Sequence, residues 1–458
     1  MRLMIAGGGG FRVPLVYRAL CTGPFAGLVN EVVLYDVDPA RLTAIAAVLR
    51  DMPTPEGSRP VVVISTDLKQ ALRGTDMVFA AIRPGGTAGR IADERVALDL
   101  GLLGQETTGA GGISYALRSI PRMLELADAM QHYCPGAWLV NFTNPAGMVT
   151  EALVPVLGRK VIGICDSASG LVQRAARAAG SPLPEGTLDG VGYFGLNHLG
   201  WLYRLAPGGR DLLPGLLSDR SALEKLEEGR LFGQHTLEKL GCLPNEYLYY
   251  YYQTEQATET ILKQRQTRGA SIHQQQSSLY PSLAESPNAY AMWDAARRSR
   301  EEGYLAEART HGEQRDEEDL AGGGYERVAL SVMRALSGGG TAQLILNVPN
   351  APVAGSVASD AEVAVPGLPG DAVVEVPCEV TPDGALPLAQ ERPGGQFLTL
   401  MQHIKEVERL TVRAVRDGDR DAALQAFAAH PLVGSASLGA GLLEAYEAAF
   451  PELRGLWK

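Results

Sequence analysis

The stretch Met1-Arg-Leu-Met-Ile-Ala-Gly-Gly-Gly-Gly10 opens the chain with a short apolar run that leads directly into four glycines. The apolar run predicts a buried strand, and the segment from Val13 to Leu20 has apolar residues at helical spacing. A second predicted strand, Glu31-Val-Val-Leu-Tyr-Asp36, ends in an acid. Strand, glycine turn, helix, strand and acid follow one another in the order of a dinucleotide-binding unit. The stretch therefore predicts an α/β fold built on a Rossmann-type parallel sheet.

The dinucleotide expected in this unit is NAD. Glycines allow the backbone to approach the pyrophosphate, whose charge is met by amide groups at the start of the helix. The loop residues predicted to bind the cofactor are Gly7, Gly8, Gly9, Gly10 and Phe11. Asp36 is placed to accept hydrogen bonds from the adenosine ribose, which favours NAD over NADP because a 2′-phosphate would be repelled. Arg41 is predicted to bind the same cofactor, and Arg12 replaces the third glycine of the usual fingerprint.

Polar residues follow three further predicted strands, 76–82, 137–141 and 160–164. They are Arg83 with Arg90, Asn144 before Pro145, and the pair Cys165-Asp166. Open parallel sheets bind ligands at the carboxyl ends of their strands. Taken singly, Asn144-Pro145 reads as a turn and the arginines as solvated charges, but three such ends on one sheet edge favour a ligand site.

Cys165 and His198 form a candidate pair of soft metal ligands. Each has a simpler interpretation, since a cysteine at the end of a buried strand is commonly a small core residue and a histidine between apolar neighbours is commonly a core histidine. Their separation is too long for a zinc-finger spacing, so the sequence does not establish that they meet. Two protein ligands would leave most of the coordination sphere open for substrate oxygens and water, as Lewis acid catalysis requires.

Three further polar residues receive no role from composition alone. Tyr247 opens an aromatic run, for which the default interpretation is helix packing. Its phenol becomes a base only where a nearby cation or metal lowers its pKa. Glu106 and Arg268 stand in ordinary polar surroundings.

Length and composition are those of a globular protein with two domains. The chain of 458 residues is too long for one compact core, and we expect a NAD-binding Rossmann domain over 1–166 and an α+β substrate and metal domain over 167–458. The segment 395–450 predicts two or three amphipathic helices with breaks at Asp417-Gly418 and Pro431. Five scattered cysteines indicate reduced thiols rather than a disulfide framework. No apolar stretch has the length of a membrane span, and a net charge of −11 disfavours nucleic acid and anionic membranes as partners, so we expect a cytoplasmic protein.

Short motifs with specific residue patterns occur along nearly the whole chain. They are Gly7 to Pro14, Tyr35-Asp-Val-Asp38, Arg83-Pro-Gly-Gly86 through Arg90, Gly104-Gln-Glu-Thr-Thr-Gly-Ala-Gly-Gly112, Asn141-Phe-Thr-Asn-Pro-Ala-Gly147, Gly163-Ile-Cys165, Gly195-Leu-Asn-His-Leu199, Tyr247-Leu-Tyr-Tyr-Tyr251 and Val374-Glu-Val-Pro-Cys378. In this combination the chain resembles glycoside hydrolase family 4, and most closely its 6-phospho-β-glucosidase branch. The resemblance implies a Rossmann domain of the lactate and malate dehydrogenase type, a C-terminal mixed α+β substrate domain, and a homodimer or homotetramer.

The resemblance also implies hydrolysis of 6-phospho-β-glucosides, such as cellobiose 6-phosphate, by a cycle with no net redox change. NAD⁺ would take a hydride from carbon 3 of the sugar, and the ketone would acidify the proton on carbon 2. Elimination, addition of water and re-reduction would follow. A divalent metal, Mn²⁺ in most family members, would be held by Cys165 and His198 and would act as a Lewis acid on the oxygens of carbons 2 and 3.

Other residues of this chain match functional positions of the family. Tyr247 matches the catalytic base, Glu106 the acid thought to raise its basicity, and Asp166 the group that protonates the leaving oxygen. Substrate-binding positions are matched by Arg90, Asn144 and Arg268. The arginine fork suits phosphate oxygens, so Arg90 or Arg268 would meet the sugar phosphate.

Asp166 leaves an alternative open. The α-glucosidase members carry aspartate at this position and many β-specific members carry asparagine, whereas the segments around Asn141 and His198 are of the β type and favour the β anomer. A 6-phospho-α-glucosidase is therefore the alternative. A NAD-dependent 2-hydroxy acid dehydrogenase shares the opening fold but has no task for Cys165, and a NAD sensor would not need Cys165, His198 and Tyr247. The loop Gly10-Phe-Arg-Val13 departs from the usual Ser and Tyr of the family, which bears on phosphate recognition.

Overall fold

The computed structural model describes residues 1–54, 59–303, 324–353 and 363–458. The strands are β1 Arg2–Ala6, β2 Glu31–Tyr35, β3 Val61–Ser65, β4 Met77–Ala80, β5 Trp138–Asn141, β6 Val161–Gly163, β7 Val191–Leu196, β8 Leu199–Leu205, β9 Leu243–Pro244, β10 Ala342–Pro349, β11 Val373–Thr381 and β12 Gly384–Pro387. The α-helices are Val13–Cys21, Pro39–Asp51, Leu68–Leu72, Gly86–Asp99, Ala110–Tyr133, Ala146–Leu157, Ser167–Ala178, Leu213–Ser218, Arg220–Leu223, Glu227–Phe232, Gln234–Leu240, Tyr249–Tyr252, Thr254–Lys263, Arg268–Glu285, Ala289–Glu302, Tyr325–Leu336, Gly395–Asp417, Arg420–Ala429 and Ala436–Ala449.

A nine-stranded sheet has the order β12-β11-β10-β6-β5-β4-β1-β2-β3. All neighbours from β3 to β6 are parallel, which is the order of a Rossmann sheet and confirms the predicted fold class. β10 pairs antiparallel with β6, and β11 and β12 continue in antiparallel pairs. One sheet therefore contains strands from both predicted domains, and the proposed limits 1–166 and 167–458 remain a prediction.

The first strand shows why the parallel half forms. Leu3, Met4 and Ile5 are all fully buried, as in a strand that has helices on both faces. Leu3 and Ile5 pack in the same apolar cluster as the helix Val13–Cys21, and Met4 packs with the helix Ala110–Tyr133 on the other side. Alternate residues thus serve opposite faces, so a continuous apolar run is needed to fill both.

A separate three-stranded sheet, β7-β8-β9, follows the parallel half. The hairpin β7–β8 pairs Leu196 with Leu199, which leaves Asn197 and His198 as its two-residue turn. The C-terminal segment forms three helices, Gly395–Asp417, Arg420–Ala429 and Ala436–Ala449, as predicted. The first of them ends at Gly418 in the left-handed conformation, which is a common helix stop.

None of the helices in the described part of the chain combines the length and apolarity needed to cross a bilayer.

Candidate active site

A cleft of about 1650 Å³ lies at the carboxyl ends of the parallel strands. Every residue predicted for the site lines this cleft except Gly8 and Gly9, which are buried in the same loop as Gly7 and Gly10. The lining comes from both halves of the chain, with Asp36 and Asn144 from the first half and Tyr247 and Arg268 from the second. The structure therefore brings together residues that the sequence spreads over more than half of its length.

The glycine loop is pressed against β2. The amides of Gly7 and Gly8 both donate to the Tyr35 carbonyl oxygen, at 2.9 and 2.7 Å. A Cβ atom at Gly8 would stand 2.7 Å from the Cα of Leu34, which is closer than real contacts allow. The amides of Gly9 and Gly10 donate to Asp36 and Gly7. The glycines thus give close approach of the backbone, while their own N–H groups bond to the end of β2, to Asp36 and within the loop.

The expected ribose acid is fixed by the loop beside it. Asp36 accepts the Gly9 amide on Oδ2 at 3.0 Å and the Asp38 amide on Oδ1 at 3.1 Å. Arg41 donates to the Tyr280 hydroxyl at 2.7 Å, and this hydroxyl donates to the Gly9 carbonyl at 2.8 Å. The helix Arg268–Glu285 therefore braces Arg41 against the cofactor loop.

Glu106 lies between two guanidinium groups. It is hydrogen-bonded by Arg83 and makes an ion pair with Arg90, whose Nη1 lies 2.6 Å from Glu106 Oε1. Burial opposes ionisation of the carboxyl, but Arg83 and Arg90 lower the pKa of Glu106 to about 2. Arg90 is also bonded to Glu94 through Nε at 2.8 Å. Glu106 is thus a fixed negative charge that orders two cationic side chains at the cleft.

Cys165 and His198 both line the cleft and are nearly buried, with 5% and 7% of their surfaces exposed. Burial lowers the pKa of His198 to about 4, so its imidazole is neutral and has a nitrogen lone pair to offer. Burial and the nearby charge of Glu375 raise the pKa of the Cys165 thiol, so its thiolate needs a cation beside it. The described residues contain no group of three or more His, Cys, Asp or Glu side chains suited to a metal. This donor set fits a divalent metal with two soft protein ligands and an open sphere.

Tyr247 lies against His198. The phenol and imidazole rings are stacked with centroids 3.8 Å apart and planes 9° from parallel. Tyr247 is placed by a short 3₁₀ turn, Glu246–Leu248, whose start is capped by the Asn245 side chain. Tyr247 therefore packs as an ordinary aromatic residue and is also in the site, because the residue that it packs against is a candidate metal ligand.

Asp166 faces the residue that replaces the third fingerprint glycine. Arg12 Nη1 lies 3.9 Å from Asp166 Oδ2, and Arg12 Nη2 lies 3.2 Å from Glu301 Oε1. Burial raises the pKa of Asp166, and Arg12 opposes this rise. The departure at Arg12 thus places a cation beside the candidate leaving-group acid.

Arg300 is one of the cleft residues that the sequence did not single out. It lies in the last turn of the helix Ala289–Glu302, where a run of charges is typical of a solvated face and no local signal marks it. Burial, with the charges of Arg12 and Arg268, lowers the pKa of Arg300 to about 9. Arg268 donates to the carbonyls of Arg300 and Gly303. This one helix end therefore gathers several guanidinium groups.

The helix Ala146–Leu157 begins directly after Asn144-Pro145, and the peptide bond between these two residues is cis. Thr143 beside it is held by Asn141, whose Oδ1 accepts the Thr143 amide at 2.9 Å. Asn144 thus lies in a turn and also lines the cleft, so the turn interpretation and a position in the site are both correct.

The chain matches two profiles of one family. Residues 2–180 match the family 4 glycosyl hydrolase profile and residues 193–433 match the family 4 glycosyl hydrolase C-terminal domain. A probable 6-phospho-beta-glucosidase of Bacillus subtilis is 28% identical over 99% of this chain and 98% of its own length. A 6-phospho-alpha-glucosidase of Leptotrichia buccalis is also 28% identical, over 96% of each chain.

A solved structure has the same fold. The 6-phospho-beta glucosidase from Thermotoga maritima, solved with manganese, NAD⁺ and glucose-6-phosphate, superposes with a TM-score of 0.80 at 26% identity over 99% of each chain. The predicted cofactors, NAD and Mn²⁺, are thus those found in a homologous structure. The fold, the contents of the cleft and both profile matches agree, and the chain belongs to glycosyl hydrolase family 4.

Proposed function

We propose that this protein hydrolyses 6-phospho-glucosides, with NAD⁺ and a divalent metal bound in the cleft. The observation that carries the proposal is that the glycine loop, the pair Cys165 and His198, and Tyr247 line one cleft. A site for a hydride carrier, two soft metal ligands and a phenol are the parts that oxidation and elimination on a sugar ring require. A plain 2-hydroxy acid dehydrogenase would have no use for Cys165.

Each of the cleft side chains has its own role in the proposed reaction. When bound, NAD⁺ accepts a hydride from carbon 3 and a divalent metal held by Cys165 and His198 acts as a Lewis acid. Tyr247 takes the proton from carbon 2, and the stacked imidazole of His198 limits the directions in which its ring can turn. Asp166 holds the proton for the leaving oxygen. Glu106 keeps Arg83 and Arg90 in place at the edge of the cleft.

An anionic substrate suits the charges of the cleft. Arg268 and Arg300 meet at the end of the helix Ala289–Glu302, and Arg12 reaches the same helix through Glu301. Guanidinium groups bind phosphate oxygens in fixed, often bidentate geometry. These residues support a phosphorylated disaccharide or glycoside as substrate. The homodimer or homotetramer and the cytoplasmic location remain predictions.

The β anomer is the first candidate, on the sequence patterns around Asn141 and His198. The α anomer is the second, because position 166 carries a carboxyl that lines the cleft rather than an amide. A carboxyl can deliver a proton to a leaving oxygen and an asparagine cannot.

The test compares hydrolysis of p-nitrophenyl β-D-glucoside 6-phosphate, its α anomer and the unphosphorylated β-glucoside, with NAD⁺ and Mn²⁺ under reducing conditions. We expect cleavage of the β-phosphate compound that stops when NAD⁺ is omitted or EDTA is added. Tyr247→Phe should abolish it, whereas Tyr133→Phe, the last residue of its helix and not part of the cleft lining, should not. Cleavage of the α compound instead would select the second candidate. Turnover without NAD⁺ or metal would refute the proposal.

A further inference from the structure

Glu375 is a buried carboxyl that the proposed reaction does not use. It lies on β11 and is 1% exposed. Its Oε2 accepts the Tyr193 hydroxyl at 3.0 Å, and its Oε1 accepts the side-chain amides of Asn347 at 3.2 Å and Asn197 at 3.4 Å. Burial of a carboxyl costs free energy unless hydrogen bonds compensate. The chain therefore keeps a costly group here, with three side-chain donors around it.

Asn197 connects this carboxyl to the cleft. It is the first residue of the two-residue turn between β7 and β8. Its Nδ2 donates to Glu375, and its Oδ1 accepts the Ala146 amide at 3.0 Å. Ala146 begins the helix that directly follows Asn144-Pro145. One amide side chain thus joins β11 to two segments that carry candidate site residues.

His198 is the second residue of the same turn and has a φ of 63°. No other non-glycine residue in the described ranges is found at positive φ. This conformation costs an ordinary L-residue of order 1 kcal/mol or more, and it persists only where the surroundings over-determine it. The two bonds of Asn197 fix the backbone next to His198. They therefore help to set the direction in which the imidazole points.

We infer that Glu375 is a positioning residue that holds His198, through Asn197, in the orientation needed for metal binding. The inference rests on the proposed role of His198 as a metal ligand. Outer partners of ligands typically change metal affinity by 10-fold to 100-fold when they are removed. Glu375 acts on His198 by fixing the turn that carries it, a route separate from the effect of its charge on Cys165.

The test measures Mn²⁺ affinity by electron paramagnetic resonance of free Mn²⁺, together with NAD⁺ affinity and the thermal midpoint. Glu375→Ala should weaken Mn²⁺ binding at least tenfold and leave NAD⁺ affinity within about twofold. Glu375→Gln should restore the affinity to near wild type, because its carbonyl oxygen accepts from both asparagines and its NH₂ donates to the Tyr193 hydroxyl. Asn197→Ala should repeat the loss with Glu375 intact.

Tyr193→Phe is the matched control, since it removes a hydrogen bond to Oε2 of Glu375 and leaves the bond between Asn197 and Oε1 in place. It should change Mn²⁺ affinity less than about threefold. The inference would be overturned if Glu375→Ala and Asn197→Ala fold and bind Mn²⁺ with wild-type affinity. It would also be overturned if Glu375→Ala, Asn197→Ala and Tyr193→Phe all lost Mn²⁺ affinity and NAD⁺ affinity to the same extent. Wild-type protein that binds no Mn²⁺ would overturn the proposed function as well, so the two failures are distinguishable.

Discussion

Glu106 lies between the guanidinium groups of Arg83 and Arg90, with 13% of its side chain exposed. Removing one partner of such a group leaves charges in a poorly solvated place, which costs more than the pair itself contributes. Arg90 retains Glu94 as a partner, while Arg83 loses the carboxylate that it bonds in the described structure. The network is therefore asymmetric around Glu106.

We expect Glu106→Gln to lower the free energy of unfolding by about 2–4 kcal/mol. Glu125→Gln, which breaks the exposed pair with Arg122, should cost less than about 0.5 kcal/mol. Urea denaturation of both variants at neutral pH provides the comparison. Equal effects at the two positions would show that burial does not strengthen the cleft pair.

The pH dependence of this difference has a definite sign. The pKa of Glu106 is lowered to about 2, so its stabilising effect is complete above the ordinary carboxyl pKa of about 4.3 and is lost as the pH falls toward about 2. The difference between wild type and Glu106→Gln should be constant from pH 8 to pH 5 and should shrink below pH 4. A difference that changes between pH 5 and pH 8 would contradict the lowered pKa.

At the scale of the element, the glycine loop owes its shape to the strand beneath it. A Cβ atom at Gly8 would meet backbone atoms of Leu34 and Tyr35 at 2.7 Å, and backbone cannot move aside as a flexible side chain can. A Cβ atom at Gly136, in the turn before β5, would have open space around it to 4 Å, and the φ of Gly136 is not positive. The two glycines therefore differ in the room that a Cβ atom would have and not in residue type.

Gly8→Ala should therefore destabilise the protein by about 1–3 kcal/mol and weaken NAD⁺ binding at least tenfold, because the loop must lift away from β2. Gly136→Ala should leave the stability of the protein unchanged and its NAD⁺ affinity within about twofold of wild type. Thermal unfolding and titration calorimetry with NAD⁺ measure the two effects. Wild-type NAD⁺ affinity in Gly8→Ala would mean that close approach at this position is not needed for the cofactor.

Local patterns made this element predictable. The run Leu3 to Ala6, the glycines and Asp36 follow one another closely in the sequence, and their order is enough to indicate the fold. Arg300 was not predictable in the same way, because a helical arginine in a charged run has no local mark. Its place in the cleft depends on how the helix Ala289–Glu302 packs, which is a tertiary contact.

At the scale of the whole molecule, the last three strands in the sequence, β10 to β12, extend the parallel sheet beyond β6. β10 pairs with β6 at Asn347 and Gly163, two strands separated by more than a third of the sequence. No periodic signal specifies such a pairing, so the sequence predicted the parallel half and not its antiparallel extension. Glu375 lies on that extension, and its link to Asn197 was therefore beyond local analysis. Motif patterns found the groups that face the cleft, and tertiary pairing placed the groups behind them.

The metal should be dispensable for the fold as a whole. Cys165 and His198 belong to elements packed in a large core, and the described residues offer no group of three or more ligands that could hold a structural ion. Metal present at one hundred times its dissociation constant would add only about 2.7 kcal/mol to the free energy of unfolding.

Treatment with EDTA should therefore abolish hydrolysis while the far-ultraviolet circular dichroism and cooperative unfolding persist, and added Mn²⁺ should restore activity. Cys165→Ser is the control, since its unfolding midpoint should not respond to EDTA. Loss of cooperative unfolding on chelation would make the metal structural.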